Sequence, residues 1–178
     1  MRYPDSAVAR RADHHLLTAL RRCGTHPDVA AAARGLSWAG EHGAVWLLAG
    51  LAGAGADPAR RRAWLRATAL VAASHATSMA VKRVVRRPRP DLPGPAPLVR
   101  TAGRHSFPSS HAASSAAAAI AFGALLPRGP FPPLAAAICV SRLVVGVHYP
   151  TDVAFGALLG GAMARLGRRW ALAGVRDD

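Results

Sequence analysis

Three short motifs in the middle of the chain bring cationic, hydroxyl and imidazole side chains together. In chain order they are Lys82-x6-Arg89-Pro90, Pro108-Ser109-Ser110-His111 and Ser141-Arg142-x5-His148-x3-Asp152. Lysine and arginine can surround the oxygens of a phosphoryl group, and arginine can bind two of those oxygens at once. One histidine can attack phosphorus while the other donates a proton to the leaving group. The three motifs together therefore predict phosphoryl transfer.

The positions of the motif residues support this prediction. Ser109 and Ser110 stand where an apolar stretch begins, and the free backbone amides at the start of a helix favour a bound anion. Asp152 follows His148 by four residues, so its carboxylate is placed to orient one ring nitrogen. Lys82 is the only lysine of the sequence. A functional reason for keeping this lysine is that its compact ammonium differs from the planar guanidinium of arginine. Biased codon usage is the alternative explanation for a single lysine.

The motifs resemble the signature of the type 2 phosphatidic acid phosphatase and vanadium haloperoxidase superfamily, which reads Lys-x6-Arg-Pro, Pro-Ser-Gly-His and Ser-Arg-x5-His-x3-Asp. The resemblance covers residues 82–152 directly. The first and third motifs match at every defining position, and the second has Ser110 where the family has glycine. The extra side chain would lie beside the backbone that faces the phosphate. We expect it to change the fit of the substrate without abolishing activity.

This resemblance implies a role for each motif residue. His148 would be the nucleophile that forms a phosphohistidine, and Asp152 would orient and stabilise it. His111 would protonate the leaving alkoxide and then activate water. The phosphate would be held by Lys82, Arg89, Ser109, Ser110 and Arg142. The phosphatases of the family need no metal, and we expect neither a metal site nor a cofactor.

Five apolar stretches, each near the roughly 20 residues that span a bilayer, must position these residues. They cover residues 36–56, 64–81, 110–126, 130–147 and 152–170. They lack the polar face of a soluble surface helix and are rich in small residues. Charged residues interrupt them, so buried helices of a soluble bundle would also fit. The pattern favours an all-α integral membrane bundle of about five transmembrane helices plus an N-terminal interfacial helix. Alternating helix directions would then bring the three motifs to one end.

The remaining segments divide a single domain, residues 1–178, into regions. Residues 1–35 form an amphipathic N-terminal region. The four-residue spacing of apolar side chains within residues 7–22 predicts a helix there. Such a helix suits an anionic membrane surface, and a solvated helix of the bundle fits the same pattern. Residues 82–107 form a basic, proline-rich active-site loop that cannot be helical throughout. Its prolines include Pro93 and Pro95, and the catalytic core follows at residues 108–152.

The composition excludes several classes of protein. Hydrophobic residues make up 51% of the chain, too much for a disordered protein, and two cysteines are too few for a disulfide scaffold. The 23 Lys+Arg against 9 Asp+Glu give a formal net charge of +14. Aromatic residues are not interleaved with the basic ones, so nucleic acid is not an expected partner. The expected partners are the bilayer and a lipid phosphate.

A site at the end of a membrane bundle can admit a lipid head group while the lipid tail stays in the bilayer. The short chain, rich in arginine and alanine, resembles small actinobacterial members of the family that dephosphorylate decaprenylphosphoryl-5-phosphoribose for cell-wall arabinan synthesis. Alternative substrates are undecaprenyl pyrophosphate, phosphatidic acid and phosphatidylglycerol phosphate. A vanadate-dependent haloperoxidase would keep the same residues, and an inactive membrane scaffold would use none of this chemistry.

Three further points stay open in the sequence. Glu41, the only glutamate, either contacts a sugar hydroxyl of the head group or pairs with an arginine such as Arg34. Arginines occur in nearly equal numbers at the two ends of a five-span bundle, so the positive-inside rule does not indicate which end faces the cytoplasm. The family resemblance implies the plasma membrane, with the active site on the extracytoplasmic side. The small residues Gly156 and Gly160 offer a contact for a homodimer.

Overall fold

The computed structural model describes residues 7–91, 96–101 and 103–174, and these residues form an all-helical bundle, as expected. Pro93 and Pro95 of the predicted loop lie outside the described residues. The helices are α1 (Ala7–Cys23), α2 (Pro27–Ala39), α3 (Ala44–Ala56), α4 (Arg61–Val85), α5 (Ser110–Leu125), α6 (Phe131–Val144) and α7 (Pro150–Ala171). Short 3₁₀ turns, Glu41–Gly43 and Pro58–Arg60, precede α3 and α4.

Helix α5 is the centre of the bundle and packs against α4, α6 and α7. Its run of alanine and serine side chains is almost entirely buried, so the neighbouring helices can approach its backbone closely. On α7, a Cβ atom at Gly160 would overlap the carbonyl of Ala113, and one at Gly156 would overlap the carbonyl of Ser109. The expectation that Gly156 and Gly160 form a homodimer contact is therefore wrong. This glycine face is covered by α5 of the same chain.

An aromatic cluster closes the end of the bundle away from the three motifs. The ring centroids of Trp64 and Phe122 lie 5.5 Å apart, and those of Phe122 and Phe131 also lie 5.5 Å apart. Trp46 on α3 is fully buried in the same hydrophobic core, and its indole Nε1 donates to Ser115 Oγ over 3.0 Å, one turn from His111 on α5. Burial of each large side chain stabilises the fold by about 2–3 kcal/mol. The cluster thereby anchors the end opposite the site.

The first predicted stretch, residues 36–56, differs from the expectation of one continuous helix. It is broken between α2 and α3, where His42 and Gly43 both have positive φ angles, 52° and 73°. A left-handed backbone cannot continue a right-handed helix, and glycine adopts it at the least cost. As a consequence, Glu41 and His42 turn outward at the end of the bundle where the motifs lie.

The four later apolar stretches each correspond to one helix, α4 to α7. Helix α4 extends three residues before and four residues after its predicted bounds, whereas α7 extends by two residues and one residue; both helices have basic residues in the last turn. Within the described residues, no helix has both the length and the apolar character needed to cross a bilayer.

Candidate active site

The C-terminal ends of α4 and α6, the N-terminal ends of α5 and α7, and the turn after α2 meet around one small cavity. Its volume is about 90 Å³. The sequence-predicted residues that line it are Glu41, Lys82, Arg89, Ser110, His111, Arg142 and His148. Asp152 and Ser109 are not part of this lining: Asp152 lies behind His148, and Ser109 directly precedes Ser110 and His111 at the start of α5. The alternation of helix directions thus gathers residues that are far apart in the chain.

The cations of the cavity are held in place by backbone and side-chain acceptors. Arg89 donates from Nε to the carbonyl of Gly103 and from Nη1 to that of Val147, each over 2.8 Å. Arg142 is buried and donates from Nη1 to Ser37 Oγ, while its Nε has no acceptor among the described residues. Burial lowers the pKa of Arg89, and the charges of nearby carboxylates oppose that shift. Buried cations with a spare donor form a site that suits an anion.

His148 is buried in the connection between α6 and α7. Its Nδ1 faces Asp152 Oδ2 at 3.5 Å, and His148 also lines the cavity, so Nε2 is the nitrogen left to react there. Burial lowers the pKa of His148 well below its usual value, and the positive charges of Arg142 and Lys82 act in the same direction. The imidazole is therefore neutral at physiological pH and has a free electron pair for attack.

The carboxylate of Asp152 is fixed by donors from two parts of the chain. The backbone N–H of Tyr149 donates to Oδ2 over 2.8 Å, and Arg87 Nη1 donates to Oδ1 over 2.7 Å. Arg87 Nη2 reaches Asp13 Oδ2 on α1 at 2.8 Å, and its guanidinium stacks on the Tyr149 ring, 4.0 Å from the centroid. Asp13 also accepts from the Thr151 amide and hydroxyl, over 3.0 and 2.6 Å. Arg87 therefore links α1 to the residue that faces His148.

His111 is buried in the first turn of α5. Its Nε2 lies 3.1 Å from the carbonyl oxygen of Ser37, to which it donates in the Nε2–H tautomer. Because the Ser37 hydroxyl also accepts from Arg142, Ser37 holds two cavity residues at once. Ser37, Arg87 and Asp13 were missed by the sequence analysis. Asp13 and Leu17, four residues apart on one face of α1, are both buried.

The two serines before His111 take different positions. Ser110 lines the cavity as the first residue of α5, where the first-turn amides have no intrahelical acceptor. Ser109 was expected to hold phosphate, but it is fully buried and its hydroxyl caps α5 by accepting from the Ala112 amide over 3.4 Å. Its own amide donates to the carbonyl of Asp152 over 2.9 Å. The hydroxyl of Ser109 thus caps α5, as a serine before a helix commonly does by accepting from a free amide of the first turn. Its backbone N–H joins α5 to α7.

Glu41 lies at the mouth of the cavity with about half of its side chain exposed. Its carboxylate is 3.8 Å from His111 Nε2 and 3.8 Å from His42 Nδ1. Among the described residues it makes no ion pair with Arg34, which was the alternative partner. His75 stands beside it on α4, and its buried Nδ1 has no partner in the described part of the chain. The mouth of the cavity therefore has polar groups that remain available to a ligand.

The chain is similar to known proteins in both sequence and fold. The family model described as the PAP2 superfamily matches residues 63–175. Decaprenylphosphoryl-5-phosphoribose phosphatase of Mycobacterium tuberculosis is 47% identical over 144 residues, which cover 79% of each chain. The protein of that name from Mycolicibacterium smegmatis is 48% identical over 134 residues, 73% of this chain and 72% of that one. A transmembrane PAP2-type phosphatidylglycerolphosphate phosphatase from Bacillus subtilis has the same fold, with a TM-score of 0.79 at 23% identity. The match covers 98% of this chain and 91% of that chain.

Proposed function

The chain belongs to the PAP2 superfamily, and on this basis we propose that it is a phosphatase that removes the 5-phosphate of decaprenylphosphoryl-5-phosphoribose. The observation that carries the substrate assignment is the 47% identity over 79% of both chains to an enzyme of that name. The cavity supports the chemistry, because it joins buried cations to a neutral, buried histidine. Undecaprenyl pyrophosphate, phosphatidic acid and phosphatidylglycerol phosphate are the alternative substrates.

In the proposed mechanism, Lys82, Arg89 and Arg142 bind the phosphate oxygens together with the α5 amides of Ser110 and His111. His148 Nε2 attacks phosphorus and the bond to the ribose 5-oxygen breaks. A protonated His111 gives its proton to that oxygen, which leaves as the 5-hydroxyl. His111 then accepts a proton from water, whose oxygen attacks the phosphohistidine and releases inorganic phosphate. The cations stabilise the charge that develops in both steps.

Asp152 supports this reaction by orienting His148 through Nδ1. A carboxylate in this position stabilises the positive charge that the imidazole acquires when Nε2 bonds to phosphorus. Its own position is set by Arg87 and by the Tyr149 amide. Ser109 has a supporting role, because the hydrogen bond from its backbone N–H to the Asp152 carbonyl keeps α5 and α7 in register.

We propose that the bundle is embedded in the plasma membrane with its catalytic end on the extracytoplasmic side. Large apolar side chains stand exposed on the outer faces of α3 and α7, among them Leu48 and Leu158, each 67% exposed. Apolar surface of this kind marks contact with a lipid or protein partner. Arginines at the helix ends can extend their charged groups into the head-group region. The transmembrane enzyme of the same fold supports the embedding in a membrane.

The test of the proposed function is phosphate release by detergent-purified protein in the presence of EDTA. We expect the highest kcat/KM with decaprenylphosphoryl-5-phosphoribose, lower values with undecaprenyl pyrophosphate and phosphatidic acid, and no loss on metal removal. A preference for another lipid would reassign the substrate. Absence of release from every lipid, with the protein folded, would overturn the proposal. Vanadate-dependent bromide oxidation would then be measured to test for a haloperoxidase. A negative result would leave an inactive membrane scaffold as the remaining interpretation.

We propose further that Glu41 contacts a hydroxyl of the ribose. The carboxylate lies at the cavity mouth, 3.8 Å from His111, where the leaving alcohol would emerge. We expect Glu41→Gln to raise KM for decaprenylphosphoryl-5-phosphoribose about 5- to 20-fold, because a charged hydrogen bond is replaced by a neutral one. With phosphatidic acid, which has no sugar, KM should not change.

Asp28→Asn is the matched control, since Asp28 is an exposed carboxylate of α2 outside the cavity. Equal effects of Glu41→Gln on both lipids would contradict a contact with the sugar. They would point instead to an electrostatic effect of Glu41 on His111.

A further inference from the structure

A second depression adjoins the catalytic cavity at the C-terminal end of α4. It has a volume of about 460 Å³, and we name it the basic groove. Its lining residues are Met79, Lys82, Arg83, Arg86, Gly103, Arg104 and His105. Met79, Lys82 and Gly103 also line the catalytic cavity, so the two depressions lie side by side along these residues. A molecule whose phosphate lies at His148 can therefore extend into the basic groove past Lys82.

The charge of the basic groove is uncompensated in the described part of the chain. Arg83, Arg86 and Arg104 are exposed, and no described carboxylate lies within ion-pair distance of them. Arg86 donates from Nε to the carbonyl of Arg83 over 2.9 Å, which keeps its guanidinium close to that residue. Clustered arginines without acidic partners favour an anionic ligand.

The walls of the basic groove are mostly carbon. Met79 and the aliphatic stems of arginine and lysine can supply such a surface, because these long side chains can bury their carbon stems while the charged group stays in water. A groove of this kind suits an anionic group that is joined directly to hydrocarbon. A free inorganic anion would leave the apolar walls without a partner.

We propose that the basic groove binds the phosphodiester of the substrate, the second phosphate that connects the head group to the lipid chain. This inference rests on the proposed function. Decaprenylphosphoryl-5-phosphoribose has one phosphate on ribose C5 and a second one between the ribose and the decaprenyl chain. With the C5 phosphate in the catalytic cavity, the ribose passes Lys82 and the phosphodiester reaches Arg83 and Arg104. The groove selects lipids with two phosphates over those with one.

The first experiment compares substrates in a neutral detergent without added phospholipid. For the double variant Arg83→Gln/Arg104→Gln we expect KM for decaprenylphosphoryl-5-phosphoribose to rise about 10- to 100-fold, since two charge-assisted contacts are lost. Its kcat should stay within about twofold. KM for phosphatidic acid, which has a single phosphomonoester, should be unchanged. Equal increases in KM for both lipids, or none for either, would overturn the proposal.

The matched control is Arg61→Gln/Arg62→Gln, which removes the same charge from exposed positions at the other end of α4. If the control has the same effect as the groove variant, general attraction by the positive chain explains the result and the groove does not select the substrate.

A second experiment makes the inference independent of catalysis. The dephosphorylated product, decaprenylphosphoryl-ribose, retains only the phosphodiester, and its binding is measured by tryptophan fluorescence. We expect the groove variant to weaken product binding at least tenfold, whether or not the variant still releases phosphate. Unchanged binding would overturn the inference. Displacement of the product by an equal concentration of phosphatidylglycerol would also overturn it, because the groove would then bind bilayer lipid.

Discussion

Substitution of His148 by alanine is expected to reduce phosphate release by at least ~10⁴-fold in kcat, the scale seen when a covalent catalyst loses its nucleophile. The structure places His148 in the wall of the cavity with Asp152 at 3.5 Å behind it, and burial together with the nearby cations lowers the pKa of the imidazole, which favours the neutral form. The measurement is initial-rate phosphate release in EDTA at pH 7.

Trapping of the phosphoenzyme identifies the attacking atom. Rapid acid-free quenching of wild-type protein with labelled substrate should give an acid-labile, base-stable label, which His148→Ala should lack. His26→Ala is the control, since His26 is an exposed histidine that does not line the cavity. Unfolding temperature in detergent shows whether the His148 variant is folded. A folded variant that keeps more than about a tenth of wild-type activity would refute His148 as the nucleophile.

Substitution of Arg87 by glutamine is expected to lower both stability and kcat. It removes the cation shared by the buried carboxylates of Asp13 and Asp152, which are 3% and 0% exposed. Breaking a buried ion pair by removal of one partner costs about 3–5 kcal/mol. Asp152 also loses one of the donors that orient it, so kcat should fall about 10²- to 10³-fold while KM changes little. Arg62→Gln serves as the control for loss of one arginine.

A double variant separates the structural role of Arg87 from its effect on the reaction. Asp13→Asn in the Arg87→Gln background removes one unpaired charge, so part of the lost unfolding temperature should return. The kcat should remain low, because Asp152 still lacks the hydrogen bond from Arg87. Recovery of kcat together with stability would show that Arg87 acts only on folding. An unchanged kcat in the single variant would show that Asp152 needs no support from Arg87.

The chemistry of the site was predictable from the sequence because it depends on short, local motifs. The spacing of Lys82 and Arg89, or of Arg142, His148 and Asp152, identifies phosphate-binding and imidazole groups before any fold is known. The all-α class and four of the helices follow from apolar stretches of sufficient length. Because consecutive helices alternate in direction, the three motifs come to the same end of the bundle. The sequence was therefore sufficient to predict that the motifs lie together.

Other features depend on which helix faces meet, and only the tertiary structure decided them. Gly156 and Gly160 form a small-residue face that suits another helix, and α5 of the same chain occupies it. Ser109 was indistinguishable from Ser110 in sequence, yet its hydroxyl caps α5 while Ser110 lines the cavity. Gly43, with its positive φ, interrupts the first apolar stretch and places Glu41 at the mouth.

The supporting residues of the site were also decided by tertiary structure. Ser37 and Asp13 lie outside the motifs and carry no local pattern that marks them. Ser37 accepts from Arg142 and His111, and Asp13 accepts from Arg87, only because α2 and α1 pack over the catalytic end. Local spacing thus determines which groups can react, whereas long-range packing determines how they are oriented, since a hydrogen bond between distant segments requires both to be folded in place.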